Sequence, residues 1–339
     1  MKLIKTEDAV GHVLCHDMTQ IIKDQYKDAR FRKGHVVTEE DIPVLLSMGK
    51  EHLYVWEMTP GKVHENDAAE RLLALCGQEN MIRSGVKEGK IELKAACDGV
   101  FLVDSARLVA VNSQDEVMIA TRKGGMAVRE GDKLAGMRVI PLIIEEEKLR
   151  KAEQAAGDKP LLSLKPYVRK TACIVATGGE VKKGLIKDTF TPVVIDKLKT
   201  YGIETLEVVY SGDGVENVRD AVLTMREKKP DMILCTGGMS VDPDDNTPGG
   251  IKAAGANIIA YGAPVLPGAM FLLGYFDDGM PVMGLPGCVM YAGATVFDLV
   301  LPKIAADVPV TRADLAALGE GGLCLGCKPC HYPICPFGK

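Results

Sequence analysis

The residues of this sequence best suited to chemistry lie in glycine turns that follow predicted buried strands. The longest such segment, residues 231–250, opens with the apolar run 232–234 and then breaks at Gly237-Gly238. Without Cβ atoms, these two glycines let backbone amides approach a ligand closely. Three carboxylates follow, from Asp242, Asp244 and Asp245. The pattern favours a phosphate held by amides, with a hard cation such as Mg²⁺ between it and the acids, and a plain surface turn is the alternative.

Two more predicted strands end in turns of the same kind. Thr177-Gly178-Gly179-Glu180 ends the apolar run 171–176, and Leu285-Pro286-Gly287-Cys288 ends the run 280–285. The carboxyl ends of parallel strands share one edge of a sheet, which is where ligands bind. A helix that begins just after Gly287 would also direct its N-terminus at an anion. The three turns therefore predict one anion site, and the alternative is that their glycines only allow tight packing of helices on strands.

Length and composition narrow the class of protein. A chain of 339 residues that is 47% hydrophobic and 26% charged has room for two or three domains with real cores. Its formal net charge of -5 provides no basic field, which argues against nucleic acid as a partner. No apolar run reaches the roughly 18 residues that a membrane span needs, and the first residues lack an apolar signal region. We therefore expect a cytoplasmic protein without a membrane partner.

The order of strands and helices predicts four regions. Residues 1–64 are predicted to form a small α+β module. Residues 65–150 are predicted to form a β-rich barrel or sandwich, because short strands, including one at 108–111, follow one another closely. Between 165 and 310, strands alternate with helices, the last of them over 288–304, which predicts a three-layer α/β domain with a mostly parallel sheet. Residues 319–339 form a cysteine-rich tail.

The tail holds four cysteines within twelve positions, namely Cys324, Cys327, Cys330 and Cys335. In a reducing compartment such crowding indicates metal binding rather than disulfides. The spacing is close to that of a ferredoxin, although the last gap is longer, and four thiolates also suit structural Zn²⁺. His331 could replace one thiol. An iron–sulfur cluster, Zn²⁺, and a redox-active or disordered tail on a flexible tether at 319–322 all stay open.

The three turns resemble the molybdopterin-binding fold shared by molybdopterin adenylyltransferase, molybdopterin molybdenumtransferase and the gephyrin domains. The matching segments are 177–181 with 184–188, then 236–240 with Asp245 and Thr247-Pro248, then 285–287. Their order and spacing agree as well as their content, and the resemblance covers residues 165–310. It implies binding of a pterin dithiolene phosphate, or of its adenylylated form, with Mg²⁺. Proteins with this fold usually associate, so we also expect a homo-oligomer.

The resemblance implies roles for individual residues. The amides of Gly237, Gly238 and Gly287 would hold phosphate. Asp188 and Asp245 would be catalytic, acting through the metal or positioning a molybdenum oxyanion. The acids expected beside Mg²⁺ are Asp242 and Asp245. The full predicted cofactor-binding set is Thr177, Gly178, Gly179, Glu180, Thr236, Gly237, Gly238, Ser240, Pro286, Gly287 and Cys288.

Three functions are compatible with these features. The first is an enzyme of molybdenum cofactor biosynthesis that adenylylates molybdopterin with ATP or inserts molybdate. Ser240 matches the metal-insertion branch, because adenylyltransferases usually have glycine there, and Cys288 replaces a small residue common in the family. The second is a non-catalytic sensor or carrier whose tail reports metal or redox state. The third is a hydrolase of nucleotide-type substrates, because the run 243–247 is similar to the competence-damage-inducible family, which has the same fold.

Overall fold

The computed structural model describes residues 2–22, 26–55, 60–182, 184–240, 242 and 245–339, without the side chains of Tyr26 and Glu180. The predictions for Asp244 and for the Glu180 side chain lie outside the described residues. Two structural units make up the chain. The first contains Met1–Ala96, Val103–Gly124 and Gly131–Ser163, and the second contains Cys97–Leu102, Gly125–Glu130 and Leu164–Lys339. Both modules predicted before residue 150 lie mainly in the first unit, so the boundary between them stays a prediction.

The elements before residue 160 are short. The strands are β1 (Lys2–Lys5), β2 (Met18–Ile22), β3 (Tyr26–Phe31), β4 (His52–Val55), β5 (Lys62–His64), β6 (Met81–Arg83), β7 (Ile91–Ala95), β8 (Gly99–Val103), β9 (Val117–Thr121), β10 (Met126–Val128), β11 (Lys133–Val139) and β12 (Ile143–Glu145). The helices are α1 (Asp41–Ser47), α2 (Glu65–Leu75), α3 (Ser105–Asn112) and α4 (Glu146–Ala156), with a 3-10 helix at Thr6–Asp8.

In the first unit, β1 pairs with β4, β2 with β3, and β5 with β12, all antiparallel. β6, β7, β11 and β9 form an antiparallel sheet in that order. The two outer strands of this sheet, β6 and β9, do not pair with each other in the described part of the chain. The region predicted to be barrel-like therefore contains an open sheet together with α2, α3 and α4.

One strand predicted for this unit is a helix. Residues 108–111 lie in α3, whose first turn is capped by Asp104, because the Asp104 carboxylate accepts a 3.1 Å hydrogen bond from the Arg107 amide. Residues two apart share a face of a strand but lie on opposite sides of a helix. Val111 is buried while Val109 is 65% exposed, which fits the helix. Val109 and Val111 are β-branched and therefore favour a strand. The Asp104 cap and the burial of Val111 against the rest of the unit outweigh that preference.

His64 joins several parts of the first unit. It ends β5 and caps α2, and only 6% of it is exposed. Its Nδ1 accepts from the Asn66 amide at 3.1 Å and lies 3.2 Å from the Lys33 ammonium, while Nε2 lies 2.6 Å from the Cys15 carbonyl oxygen. This arrangement requires the neutral tautomer with hydrogen on Nε2. Burial, followed by the charge of Lys33, lowers the pKa of His64.

We expect the free energy of unfolding to fall as the pH drops below about 6.5, the pKa of histidine in an unfolded chain. Because the folded-state pKa of His64 is lowered, its contribution is complete above that pH and is lost as the pH falls through the folded-state value. Urea unfolding at about pH 7.5 and 5.5 measures this loss. In His64→Asn, the asparagine oxygen can still cap α2, but the side chain does not titrate. Between about pH 7.5 and 5.5, the free energy of unfolding of this variant should therefore fall by about 1 kcal/mol less than that of the wild type. An equal fall in both proteins would contradict the assignment, and exposed His12→Asn is the control.

The second unit contains the strands of the largest sheet. After β13 (Leu162–Pro166) come β14 (Thr171–Thr177), β15 (Glu204–Ser211), β16 (Met232–Thr236), β17 (Asn257–Tyr261), β18 (Leu272–Tyr275) and β19 (Pro281–Leu285). The helices are α5 (Gly179–Lys182), α6 (Phe190–Lys199), α7 (Val215–Glu227), α8 (Thr247–Ala253), α9 (Val296–Ala305) and α10 (Arg312–Ala317). A sheet of six strands has the order β15-β14-β16-β19-β18-β17, and β10, β8 and β13 form a smaller one.

The large sheet is parallel from β15 to β19 and antiparallel at β18 and β17. Successive residues of β14 face two different cores. Ala172 and Ile174 belong to the core with α6 and α9, while Cys173 and Val175 belong to the core with α7 and α8. A strand covered on both faces needs an uninterrupted apolar run, which is the pattern the sequence shows. The predicted three-layer α/β domain with a mostly parallel sheet is confirmed.

The helix predicted over 288–304 is interrupted. A 3-10 helix covers Gly287–Met290, and α9 begins only at Val296. Thr295 starts α9 with a capping box. The Thr295 side chain accepts a hydrogen bond from the backbone amide of Asp298, and the Asp298 side chain accepts one from the backbone amide of Thr295. The structure has only this four-residue 3-10 helix beside Gly287, so the prediction that a long α-helix begins there and directs its N-terminus at an anion is wrong.

The cysteine tail belongs to the second unit and packs against its core. Phe337 is 2% exposed within the core that contains α9. The Leu266 amide donates to the Gly322 carbonyl and the Cys324 amide to the Leu266 carbonyl, both at 2.8 Å. These contacts argue against the alternative of a disordered tail on a flexible tether. In the described ranges, no helix has the length and apolar character required to cross a membrane.

Candidate functional site

Three glycine turns meet at one edge of the six-stranded sheet. β14, β16 and β19 are parallel neighbours, and their register pairs Ala176 with Thr236 and Thr236 with Leu285. The turns follow the carboxyl ends of these strands directly. We call residues 177–179 the first corner, 236–240 the second and 285–288 the third. The structure thus brings together the three segments that the sequence predicted to converge, while their roles as ligands stay predictions.

The second corner requires glycine. Gly237 and Gly238 have φ values of +81° and +56°, and a Cβ on Gly237 would lie 2.4 Å from the Thr177 carbonyl oxygen. The Thr177 hydroxyl donates to the Thr236 carbonyl at 2.9 Å, and the Thr247 hydroxyl donates to the Gly237 carbonyl at 2.8 Å. These bonds fix the first corner against the second. They use the hydroxyl protons of both residues, so Thr177 shapes the corner, and its predicted contact with the cofactor stays a prediction.

At the first corner, a backbone amide is already bound to a carboxylate of the protein itself, that of Asp213. The Gly179 amide donates to Asp213 Oδ2 at 3.0 Å, so an amide predicted to face the ligand has a partner. Asp213 follows β15, whose last residue, Ser211, is paired with Thr177 in the register of β14. A ligand anion at this corner would compete with the Asp213 carboxylate. The sequence did hold a signal for this contact, because residues 211–214 are a fourth glycine-containing turn after a strand.

Asp188 serves as a cap for α6. Its Oδ1 accepts hydrogen bonds from the amides of Phe190 at 2.9 Å and Thr191 at 3.0 Å, and its Oδ2 accepts one from the Tyr210 hydroxyl at 3.3 Å. Burial raises the pKa of Asp188, but hydrogen bonds from Thr191, Phe190 and Tyr210 together outweigh it and hold the pKa below its usual range. The carboxylate is therefore charged at neutral pH. Because its oxygens serve the helix, it suits an electrostatic role better than direct metal binding.

The segment after the second corner that contains Asp242 and Asp245, which we call the acidic loop, is held by contacts at both ends. Asp245 Oδ2 accepts from the Asp242 amide at 3.3 Å, and the Asp245 amide donates to the Asp242 carbonyl at 2.9 Å. The Tyr261 hydroxyl donates to the Met239 carbonyl oxygen at 3.0 Å and lies 3.3 Å from that of Ser240. Ser240 and Asp242 are exposed, and Asp245 is partly buried. The loop therefore presents two described carboxylates beside the second corner, where a cation could bridge them to a phosphate.

The third corner leaves open space at Gly287. This glycine is exposed, its φ is not left-handed, and a Cβ built on it would meet no atom within 4 Å. Pro286 before it is buried, and Cys288 after it is partly buried. Burial, with the charge of Asp298, raises the pKa of the Cys288 thiol, which is therefore protonated at neutral pH. A ligand could approach the backbone closely on the open side of Gly287.

The described side chains form no preassembled metal site, because no three Asp, Glu, His or Cys among them are placed to hold an ion. This arrangement still fits Mg²⁺, which is commonly held by one or two carboxylates together with phosphate oxygens and water. Asp242 and Asp245 could provide the carboxylates. It does not fit a four-thiolate centre, because the tail cysteines do not converge. The predicted iron–sulfur or Zn²⁺ site is therefore not assembled in this conformation.

Several residues that shape this edge received no role of their own in the sequence analysis. Asp213, Thr247 and Tyr261 act through the contacts described above. Met239 is buried against β19, where a Cβ on Gly284 would lie 2.5 Å from the Met239 sulfur. The contacts of Asp213, Tyr261 and Met239 join residues from different strands and turns, so the turn at 211–214 was visible in the sequence but its partner was not.

Family models match two parts of the chain. Residues 3–57 match a domain of unknown function, DUF8806, and residues 173–306 match the model described as a probable molybdopterin binding domain. The second match contains all three corners and covers less than half of the chain.

Curated relatives are similar over a short segment. A CinA-like protein of Mycobacterium tuberculosis is 33% identical over 76 residues, which is 22% of this chain and 18% of the relative. A CinA-like protein of Petrotoga mobilis is 32% identical over 76 residues, which is 22% of this chain and 19% of that relative. The aligned part thus spans less than a fifth of the length of either relative.

Solved structures resemble the chain more distantly. CinA from Thermoplasma acidophilum has a TM-score of 0.35 and 18% identity, and covers 40% of this chain and 98% of its own. The molybdopterin biosynthesis enzyme MoaB from Thermus thermophilus has a TM-score of 0.35 and 17% identity, and covers 41% of this chain and 98% of its own. These scores are too low to support any argument about function. The finding that bears on the segment is the family model: residues 173–306 match a probable molybdopterin binding domain, in agreement with the resemblance seen in the sequence, and this match supports a molybdopterin-related function for the segment.

Proposed function

We propose that residues 173–306 bind the phosphate of a molybdopterin-type pterin at the three corners, with Mg²⁺ between that phosphate and the acidic loop. The observation that carries this proposal is the position of the three glycine corners on neighbouring strand ends. The amides of Gly237, Gly238 and Gly287 would donate to the phosphate oxygens. Asp245, with Asp242, would hold the cation.

The reaction we propose is adenylyl transfer from ATP to molybdopterin, or insertion of molybdate. In adenylyl transfer, an oxygen of the pterin phosphate attacks the α-phosphorus of ATP and pyrophosphate leaves. The chain would contribute position and charge. The Cys288 thiol, whose pKa is raised by burial, is a poor nucleophile at neutral pH. Asp188 would act through its charge from the start of α6. Ser240, exposed beside the acidic loop, is the residue we propose to distinguish the two reactions.

Two other functions fit part of the same observations. The similarity to CinA-like proteins favours a hydrolase of nucleotide-type substrates as the second candidate. A non-catalytic sensor or carrier of the cofactor would bind the pterin without turnover. We further propose that the four tail thiols hold an iron–sulfur cluster or Zn²⁺ after rearrangement, and that the chain forms a homo-oligomer.

Mass spectrometry of the small molecule that co-purifies with the whole chain tests the proposal. A pterin phosphate is expected, together with Mg²⁺-dependent adenylylation of molybdopterin by ATP or insertion of molybdate. A bound pterin without either reaction would favour the sensor or carrier. Hydrolysis of a nucleotide without pterin binding would favour the hydrolase and contradict the pterin proposal.

A further inference from the structure

A cleft in the first unit is lined by the end of β3 and by the segment that leads into α1. Its volume is about 660 Å³, which lies in the range of sites for small molecules. The lining residues are Ala29, Arg30, Phe31, Arg32, His35, Glu40, Asp41 and Val44. All of them belong to the first unit, so the cleft shares no residue with the three corners.

An irregularity in the pairing of β3 brings two arginines to this cleft. In a regular strand, successive side chains face opposite sides of the sheet. The register places Ala29 and Phe31 opposite consecutive residues of β2, so Arg30 between them is the extra residue of a β-bulge. A bulge redirects the side chains around it, and here four successive residues, 29–32, line one cleft.

The guanidinium groups of Arg30 and Arg32 are open to a ligand. Both arginines are exposed, and neither side chain has a hydrogen bond or ion pair with another residue that the structure describes. Asp41 also lines the cleft, but its Oδ2 lies 2.7 Å from His35 Nε2 and accepts from the amide and the hydroxyl of Thr38, each at 2.8 Å. This carboxylate therefore holds the turn before α1, and the arginine donors stay unused.

The rest of the lining can contact an organic group. Phe31 is buried, and its ring centroid lies 5.1 Å from that of His35. Val44 of α1 is partly buried. These side chains provide an apolar wall beside the arginines. Glu40 is exposed, and its carboxylate is a like charge for any anion in the cleft.

We propose that this cleft binds a small phosphate monoester, with Arg30 and Arg32 on the phosphate and Phe31 and His35 beside the ester group. A guanidinium can donate two parallel hydrogen bonds to phosphate oxygens. Two guanidiniums also match the two charges that the phosphate carries above its second pKa of about 6. The site is independent of the function proposed for the corners, because it uses none of their residues.

Equilibrium dialysis of the whole chain against phenyl phosphate, at about pH 8 and with EDTA, tests this proposal. EDTA removes the cation proposed for the corners. Arg30→Gln and Arg32→Gln should each raise the Kd at least about 5-fold, because each removes charge-assisted hydrogen bonds. Arg312→Gln is the matched control, since Arg312 is exposed in the second unit and its side chain also lacks a partner among the described residues. Urea unfolding verifies that all three variants are folded.

Two further measurements test the charge of the ligand. Benzoate has the same ring with a single charge and should bind at least about 5-fold more weakly than phenyl phosphate. Glu40→Gln removes the like charge and should lower the Kd of phenyl phosphate about 2-fold.

Three results would overturn the proposal. Equal affinity for benzoate and phenyl phosphate would show that the site does not select a dianion. Unchanged phenyl phosphate affinity in both Arg30→Gln and Arg32→Gln would place the ligand outside the cleft. Absence of binding at millimolar phenyl phosphate would remove the site altogether. None of these results bears on the corners, whose pterin binding is measured separately with Mg²⁺.

Discussion

Replacing Asp245 with asparagine is expected to lower Mg²⁺-dependent turnover of molybdopterin by about 100-fold or more, because the cation would lose a charged ligand that stabilises the reacting phosphates. Pterin binding should be largely retained, since the glycine amides are unchanged. Asparagine keeps an oxygen that can accept from the Asp242 amide, so the loop should keep its conformation. Steady-state kinetics with a Mg²⁺ titration, beside equilibrium binding of the pterin, separates the two effects.

Asp277→Asn provides the matched control for this experiment. Asp277 is exposed in the turn between β18 and β19, at the opposite end of β19 from the third corner, and should change neither turnover nor binding. Equal turnover of Asp245→Asn and the wild type, with the same Mg²⁺ dependence, would remove Asp245 from the proposed reaction.

Replacing Gly287 with alanine is expected to reduce pterin phosphate affinity at least about 10-fold without destabilising the protein. The methyl group would meet no protein atom within 4 Å, so it would occupy the space through which the ligand approaches the backbone. A surface change without new contacts typically alters the free energy of unfolding by less than about 0.5 kcal/mol. Calorimetric titration with the pterin and urea unfolding measure the two quantities.

Two other glycines make this result interpretable. Gly237→Ala would strain a left-handed backbone and bring the methyl group within 2.4 Å of the Thr177 carbonyl oxygen, so it should lower the free energy of unfolding by about 1–3 kcal/mol. Gly85→Ala also meets no atom within 4 Å but lies in the first unit, and should change neither stability nor binding. Wild-type affinity in stable Gly287→Ala would show that no ligand lies against the third corner.

The parallel sheet was predictable because its cause is local. Continuous apolar runs at 171–176 and 232–236 are required where successive residues, such as Ile174 and Val175, face two cores. The glycine turns were visible for the same reason, since each directly follows its strand. Once parallel neighbours were assumed, the convergence of the corners followed from the geometry of the sheet.

What the sequence did not reveal depends on contacts between distant segments or on competition between local preferences. Asp213 reaches the Gly179 amide only because β15 and β14 are neighbours. The interruption before α9 depends on the capping box at Thr295, which outweighs the apolar pattern of the preceding residues. The docking of the tail depends on the burial of Phe337 in a core formed by other parts of the chain.

The most direct test of the account is amide hydrogen exchange of the whole chain with and without saturating molybdopterin and Mg²⁺. We predict that the ligand slows exchange at the second and third corners together, around Gly237, Gly238 and Gly287, more than at any other part of the sheet. Bound pterin with protection confined to a different surface, and unchanged exchange at these glycines, would contradict the assignment of the corners as the binding site.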